Sequence, residues 1–210
     1  MRDMTPLRFY WLRHAPPVNP LDLCYGQADI GVDLSDDAGF ARQASRLPLK
    51  AQWLASPLTR TMETARKLAQ FHEDAKAITI ASDRKLIEQS FGRWESMNRT
   101  QMRADPGFPP YQADPAGTRP PGGESLVDLA ARVKPAINKL IAENPKGGNI
   151  VIVAHGGTIR AALHQAANLP MQDTLRLGVS PLSLTVIEYD PRKLRHNRNP
   201  WAVESLNIRP

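Results

Sequence analysis

The chain has 210 residues, 41% of them hydrophobic, which is enough for one packed core with an elaboration and too short for two full domains. Its 27 Lys and Arg outweigh 21 Asp and Glu, yet no five like charges stand together, and the basic group Arg192, Lys193, Arg195 and Arg198 follows acidic Glu188 and Asp190. A basic excess suits nucleic acid, an anionic membrane surface or a small anionic substrate; the tail itself reads as a solvated surface, and no nucleic-acid partner is expected. One cysteine, Cys24, excludes an internal disulfide and suits a reducing compartment. No signal-peptide core and no apolar run near the roughly 20 residues of a membrane span occurs, so a cytoplasmic protein without membrane association is expected.

Leu7–His14 reads as a short apolar strand that delivers Arg13 and His14 at its carboxyl end. Ala15 to Pro20 carries three prolines and forms a stiff loop that runs on through Cys24-Tyr25-Gly26. Ser35 serves as the cap of a helix reaching about Leu47, with Asp36 and Asp37 in its first turn. A strand at Ala51–Ala55 leads to Ser56-Pro57, the order of cap and first-turn proline, and to a helix with Leu58, Met62, Ala65, Leu68 and Ala69 on its apolar stripe. A third strand is expected at Ala77–Ala81, followed by the charged, aromatic segment Leu86–Glu95.

The segment from about 92 to 123 is rich in proline and reads as a surface loop or a lid inserted into a single domain spanning 1–210. Glu124–Asn144 has the period of a long helix, which Pro135 should kink or split. Ile150–His155 is a Val/Ile run ending in a histidine, and a helix follows from about Thr158 to Asn168. Leu182–Tyr189 is a further strand, and Ala202–Asn207 an edge strand. Strands that alternate with helices, and continuous apolar runs, specify an α/β three-layer sandwich with a mostly parallel central sheet flanked by helices.

Two strands that each end in a histidine place both at the carboxyl edge of such a sheet, where ligands bind. The fixed cation of Arg13 beside the titratable His14 suits phosphate chemistry. Gly156 and Gly157 let backbone approach a ligand at the start of a helix, and Arg160 stands in the same turn. Arg60 lies in the first turn of its helix, against the helix dipole, as a residue placed for an anion would. Glu88 supplies a carboxyl near a strand end; beside a phosphate it would hold its proton more tightly, as a general acid must. Nucleophile-elbow, P-loop and dinucleotide motifs are absent, and no His pair has metal-ligand spacing, so neither a metal nor a cofactor is expected. His72, His164 and His196 read as structural or solvated.

Taken in series, Leu12-Arg13-His14, Ser56–Ala65, Glu88 with Phe91–Glu95, Gly122–Ser125 and Ala154–Thr158 resemble the histidine phosphatase superfamily, of phosphoglycerate-mutase-like fold. Cys24–Asp29 and Phe91–Glu95 are most similar to its α-ribazole phosphatase branch, which acts in cobalamin assembly. The resemblance implies a phosphomonoesterase acting on a small phosphorylated metabolite, with α-ribazole 5′-phosphate the leading candidate. It implies that His14 attacks phosphorus, that Arg13, Arg60 and His155 surround the phosphoryl oxygens, and that Glu88 moves the proton; Asn19, Gly26 and Gly156 join the phosphate-binding set. The chain departs from the family pattern at Ala15, where glycine is usual and a methyl group would lie close to the phosphate, and at Pro16, Ser90 and Ser96. A phosphoglycerate mutase is the first rival, which Phe91–Glu95 argues against, and a non-catalytic phospho-ligand binder of the same fold is the second. The residues do not separate a monomer from a homodimer.

Overall fold

The computed structural model describes residues 5–210. Strand β1 (Leu7–Arg13) turns Leu7, Phe9 and Trp11 into one apolar cluster and Leu12 into another, the period-2 alternation of a strand buried on both faces. The remaining strands are β2 (Gln52–Ala55), β3 (Ile80–Ser82), β4 (Gly148–Ala154), β5 (Leu184–Tyr189) and β6 (Trp201–Ile208), in the spatial order β3-β2-β4-β1-β5-β6. The first four run parallel, whereas β5 pairs antiparallel with both β1 and β6. Among the described strands β5 alone runs against the other five, so the sheet is the mostly parallel one expected, made mixed by that single reversed strand. The edge strand expected near the carboxyl end is β6.

The helices are α1 (Asp37–Ala44), α2 (Thr59–Phe71), α3 (Arg99–Ala104), α4 (Phe108–Ala113), α5 (Leu126–Glu143), α6 (Gly156–Ala167) and α7 (Met171–Thr174). Phe40 of α1 and Ala65 and Leu68 of α2 cover one face of the sheet, against Leu12, Trp53, Val151 and Val153. Leu129, Val133 and Ile137 of α5, with Ile159 and Leu163 of α6, cover the other, against Phe9, Trp11, Ile150 and Ile152. The chain thus leaves β1 toward one face and β4 toward the other, and a crevice opens between the ends of these neighbours. No helix among the described residues is long and apolar enough to cross a membrane.

Several boundaries differ from those expected. Asp36, not Ser35, caps α1 by accepting from the Gly39 N–H at 2.8 Å, and the helix stops at Ala44. Helix α2 starts at Thr59; its free N-terminal groups are met from a distant loop, where Asp29 accepts from the Thr59 N–H at 2.8 Å and hydroxyl at 2.7 Å. Its buried stripe holds Arg60, Thr61 and Thr64 beside Ala65 and Leu68. Residues 75–77 form a 3₁₀ turn and β3 begins at Ile80. Helix α6 begins at Gly156, two residues early.

Pro135 does not split α5. Both Pro135 and Ala131, whose carbonyl it leaves without a helical donor, are exposed, so that carbonyl is open to solvent and the lost bond costs little. The buried Leu129, Val133, Ile137 and Leu140 each contribute ~1.5–3 kcal/mol, together outweighing the ~3 kcal/mol a helical proline costs. The 92–123 segment is no slack loop either: α3 and α4 lie within it. Pro109 and Pro110 occupy the first turn of α4, where an N–H has no helical partner to lose. Buried Trp94 meets Tyr111 at 5.1 Å and Phe108 at 5.9 Å between ring centres, giving the segment an aromatic core of its own.

Candidate active site

Parallel pairing of β1 with β4 sets Arg13 opposite Ala154, so His14 and His155 emerge side by side. The His14 N–H donates to the Ala154 carbonyl at 2.9 Å, and the two imidazoles stand 5.3 Å apart between centres, edge to face. His14 Nδ1 lies 2.7 Å from the Ala15 carbonyl, which can only accept. Nδ1 therefore carries the hydrogen and Nε2 the lone pair. Nε2 is buried with no hydrogen-bond partner among the described residues. Burial, aided by the charges of Arg13 and Arg60, pushes the imidazole down to about 3 and keeps it neutral at pH 7. Buried His155 is held well below its ordinary value by desolvation first and by His14 next. Its Nε2 lies 2.8 Å from the Ser56 hydroxyl, and its Nδ1 has no partner.

Three arginines are fixed around the histidines by backbone carbonyls. Arg60 donates to Ala28 at 2.7 Å and to Gly26 at 2.6 Å, with its guanidinium 5.0 Å over the Tyr25 ring. Arg13 donates to Val179 at 2.7 Å, and Arg160 to Thr174 and Leu177, each at 3.1 Å. None of the three forms an ion pair among the described residues. Nε of Arg13 and Nε of Arg60 are buried and unpartnered, like the free ring nitrogens of both histidines. A buried donor left unpaired costs ~1–3 kcal/mol. Several of them beside uncompensated guanidinium charge are complementary to a compact oxyanion.

Glu88 is presented by a short loop after the 3₁₀ turn Arg84–Leu86. Its Oε2 accepts from the Gly157 N–H at 3.2 Å and its Oε1 from its neighbour Gln89 at 2.9 Å. A Cβ at position 157 would come within 2.4 Å of Glu88 Oε1, so glycine there lets the carboxyl lie against the start of α6 without shifting. The loop is anchored by Arg132, which no motif announced, and by Glu124 and Gln27, which lie within quoted motifs but carried no assigned role. Arg132 of α5 donates to the carbonyls of Lys85, Ile87 and Glu88 and pairs with Glu124 at 2.6 Å; Gln27 also donates to the Glu88 carbonyl, at 2.9 Å. Thr64, likewise unforeseen, accepts from the Ala15 N–H at 3.0 Å and so fixes the backbone beside His14.

The structure thus brings Arg13, His14, Arg60, Glu88 and His155 to one place. Gly156 opens α6 beside them, and a Cβ there would stand 3.1 Å from Arg160 Nη1. Gly26 contributes a carbonyl to Arg60 rather than an N–H to a ligand, and its φ of +38° and the nearby Glu95 leave no room for a side chain. Asn19 turns both ends of its amide to its own loop, with Nδ2 donating to the Leu23 carbonyl at 2.8 Å and Oδ1 accepting from the Leu23 N–H at 3.1 Å. Ala15 corrects an expectation: its methyl is fully buried in the apolar cluster of Leu12 and Phe40, directed into the core. The Cys24 thiol is pushed up to about 12, by burial and then by Glu95, which keeps it protonated at pH 7.

Residues 10–200 match the model of the histidine phosphatase superfamily, branch 1. The chain belongs to that superfamily. The chain is 34% identical over 133 residues to the glucosyl-3-phosphoglycerate phosphatase of Mycobacterium tuberculosis, a match covering 60% of the chain and 58% of that enzyme's length. A solved mycobacterial glucosyl-3-phosphoglycerate phosphatase superposes with a TM-score of 0.82 at 27% identity, covering 97% of this chain and 100% of the other. The α-ribazole phosphatase of Shigella flexneri superposes with a TM-score of 0.81 over 96% of each chain, but at 21% identity it speaks to the fold alone.

Proposed function

We propose that the protein is a phosphomonoesterase that hydrolyses a small phosphorylated metabolite through a phosphohistidine. The observation that carries the reading is His14: a neutral imidazole whose Nδ1 hydrogen is tied to the Ala15 carbonyl, leaving the Nε2 lone pair buried and unengaged among arginines. In the first step Nε2 bonds to phosphorus while the phosphorus–oxygen bond of the ester breaks, and Glu88 gives its proton to the departing oxygen. Arg13, Arg60 and His155 hold the phosphoryl oxygens as charge spreads over them. In the second step the Glu88 carboxylate takes a proton from water, whose oxygen bonds to phosphorus as the bond to Nε2 breaks. Free phosphate and the original imidazole result. Gly156 and the start of α6 offer further N–H groups to the same oxygens. Asn19 serves as a brace of the loop that carries Tyr25 and Gly26.

For the substrate, some relatives above 30% identity are named for glucosyl-3-phosphoglycerate and others as 2,3-bisphosphoglycerate-dependent phosphoglycerate mutases, so glucosyl-3-phosphoglycerate and phosphoglycerate join α-ribazole 5′-phosphate in the panel to be assayed. The test of the chemistry is hydrolysis of p-nitrophenyl phosphate in EDTA by wild type, His14→Ala and Glu88→Ala, with acid-labile phosphate on the protein followed during turnover. Turnover and label that both vanish in His14→Ala are expected. Phosphate binding without turnover between pH 5 and 8 would move the reading to the non-catalytic binder. Stimulation of phosphoryl transfer between glycerate positions by a bisphosphoglycerate would move it to the mutase.

A further inference from the structure

A cavity of about 640 Å3 adjoins the phosphate site at Tyr25, which lines the cavity and on whose ring Arg60 stacks. Its walls are apolar and aromatic at Tyr25, Phe91, Met102 and Phe108. Two arginines of the inserted segment, Arg99 and Arg103, also line it. They stand four residues apart on α3, a spacing that directs both to one side of the helix and sets like charges against each other. A single acid, Asp22, lines the cavity with them. It meets Arg99 at 3.0 Å, but both side chains are about three-quarters exposed (75% and 73%), and such a pair is worth ~0–1 kcal/mol. Arg103 has neither an ion pair nor a hydrogen bond to any described residue. The cavity therefore offers positive charge that the protein does not neutralise, at a distance from the three arginines that surround His14.

We propose that this cavity receives the leaving group of the substrate, and that this group carries a second anionic function, a carboxylate or a phosphate, bound by Arg103 together with Arg99. The inference rests on the phosphatase reading and narrows it. A substrate anionic at both ends would bridge the two arginine clusters, with its middle against the aromatic wall. A leaving group that ends in neutral hydroxyls or a neutral base leaves Arg103 without a partner and gains nothing from it. The guanidinium fork suits either kind of anion, so the chemistry is shared between the two sources.

The experiment compares kcat/KM for three aryl phosphates of similar shape, 4-hydroxymethylphenyl phosphate, 4-carboxyphenyl phosphate and benzene-1,4-bisphosphate, in wild type, Arg103→Gln, Arg99→Gln and Arg103→Lys. Wild type is expected to prefer at least one anionic ester over the neutral one about tenfold, the ratio that roughly 1.4 kcal/mol produces. Which anionic ester leads tells carboxylate from phosphate. Arg103→Gln should lower the preferred anionic ester about tenfold more than the neutral one, chiefly through KM, with partial recovery in Arg103→Lys. Turnover of all three esters at equal kcat/KM overturns the inference and leaves the phosphatase reading standing. A wild-type preference that survives both glutamine variants also overturns it. Failure of every ester overturns both.

Discussion

Thr64 offers a clean perturbation because valine matches its shape and removes only the hydroxyl. Thr64 is fully buried, accepts from the Ala15 N–H at 3.0 Å and donates to the Arg60 carbonyl at 2.6 Å. The Arg60 carbonyl lies inside α2 and keeps its helical bond in Thr64→Val. The Ala15 N–H, on a residue with no exposed surface, has no alternative. Leaving it unpaired costs ~1–3 kcal/mol, which in a chain of this size lowers Tm by about 2–4 °C per kcal/mol. Urea unfolding and a thermal melt measure the loss directly. Thr64→Ser keeps the hydroxyl and gives up only a methyl group, worth ~0.8 kcal/mol. The Ala15 carbonyl fixes the His14 tautomer, so kcat on p-nitrophenyl phosphate should also fall in Thr64→Val at a temperature where the protein is fully folded. A valine variant as stable as wild type, or a serine variant as damaged as the valine, would refute the reasoning.

Other substitutions test the rest of the site. Gly157→Ala would press a methyl group onto Glu88 Oε1 at 2.4 Å and onto Leu129 Cδ2 at 2.8 Å; overpacking of ~1–3 kcal/mol and a fall in kcat of about a hundredfold are expected from unfolding curves and steady-state rates. Arg132→Leu removes the donors to the Glu88, Ile87 and Lys85 carbonyls and should lower kcat about tenfold with little change in KM; an unchanged kcat shows that the loop holds Glu88 without it. The pH dependence of stability reads out His14. Burial holds it at about 3 when folded, below the ~6.5 of an unfolded chain, so between these values the unfolded state takes up the extra proton and stability falls as pH falls. His14→Asn should flatten that slope by up to about 1.4 kcal/mol per pH unit in urea titrations between pH 6 and 4; identical slopes would show that His14 is not held neutral.

The features legible in the sequence are those with strong local signals. Val/Ile runs and alternating Leu, Phe and Trp located β1 and β4, and their terminal histidines follow from the strand ends. What escaped was set by distant partners. Ser56-Pro57 carries a cap-and-proline signal, yet α2 starts later because Asp29, thirty residues upstream, supplies the cap. Pro135 reads as a break, but exposure of its turn and four buried residues beneath it override the local cost. Proline density between residues 105 and 123 suppressed the helical reading of α4, although first-turn prolines are compatible with a helix. Ala15 looked like an intrusion on the phosphate because sequence spacing does not say which way a Cβ points. Arg132 carries no signal, and Thr64 sits in the quoted Ser56–Ala65 segment with nothing to mark its role: each acts through a carbonyl or N–H brought close by the fold.

The carbonyl anchoring of the arginines has a kinetic consequence. Because Arg13, Arg60 and Arg160 donate to backbone carbonyls and form no ion pair with a carboxylate among the described residues, an incoming anion has no salt bridge to break, and none re-forms when it leaves. On the proposed chemistry, the inorganic phosphate left after hydrolysis meets the same unoccupied donors that captured the ester. A pocket built this way holds its own product, so release of phosphate becomes the slow event at saturating ester. The ambient phosphate concentration then acts as a brake on the rate.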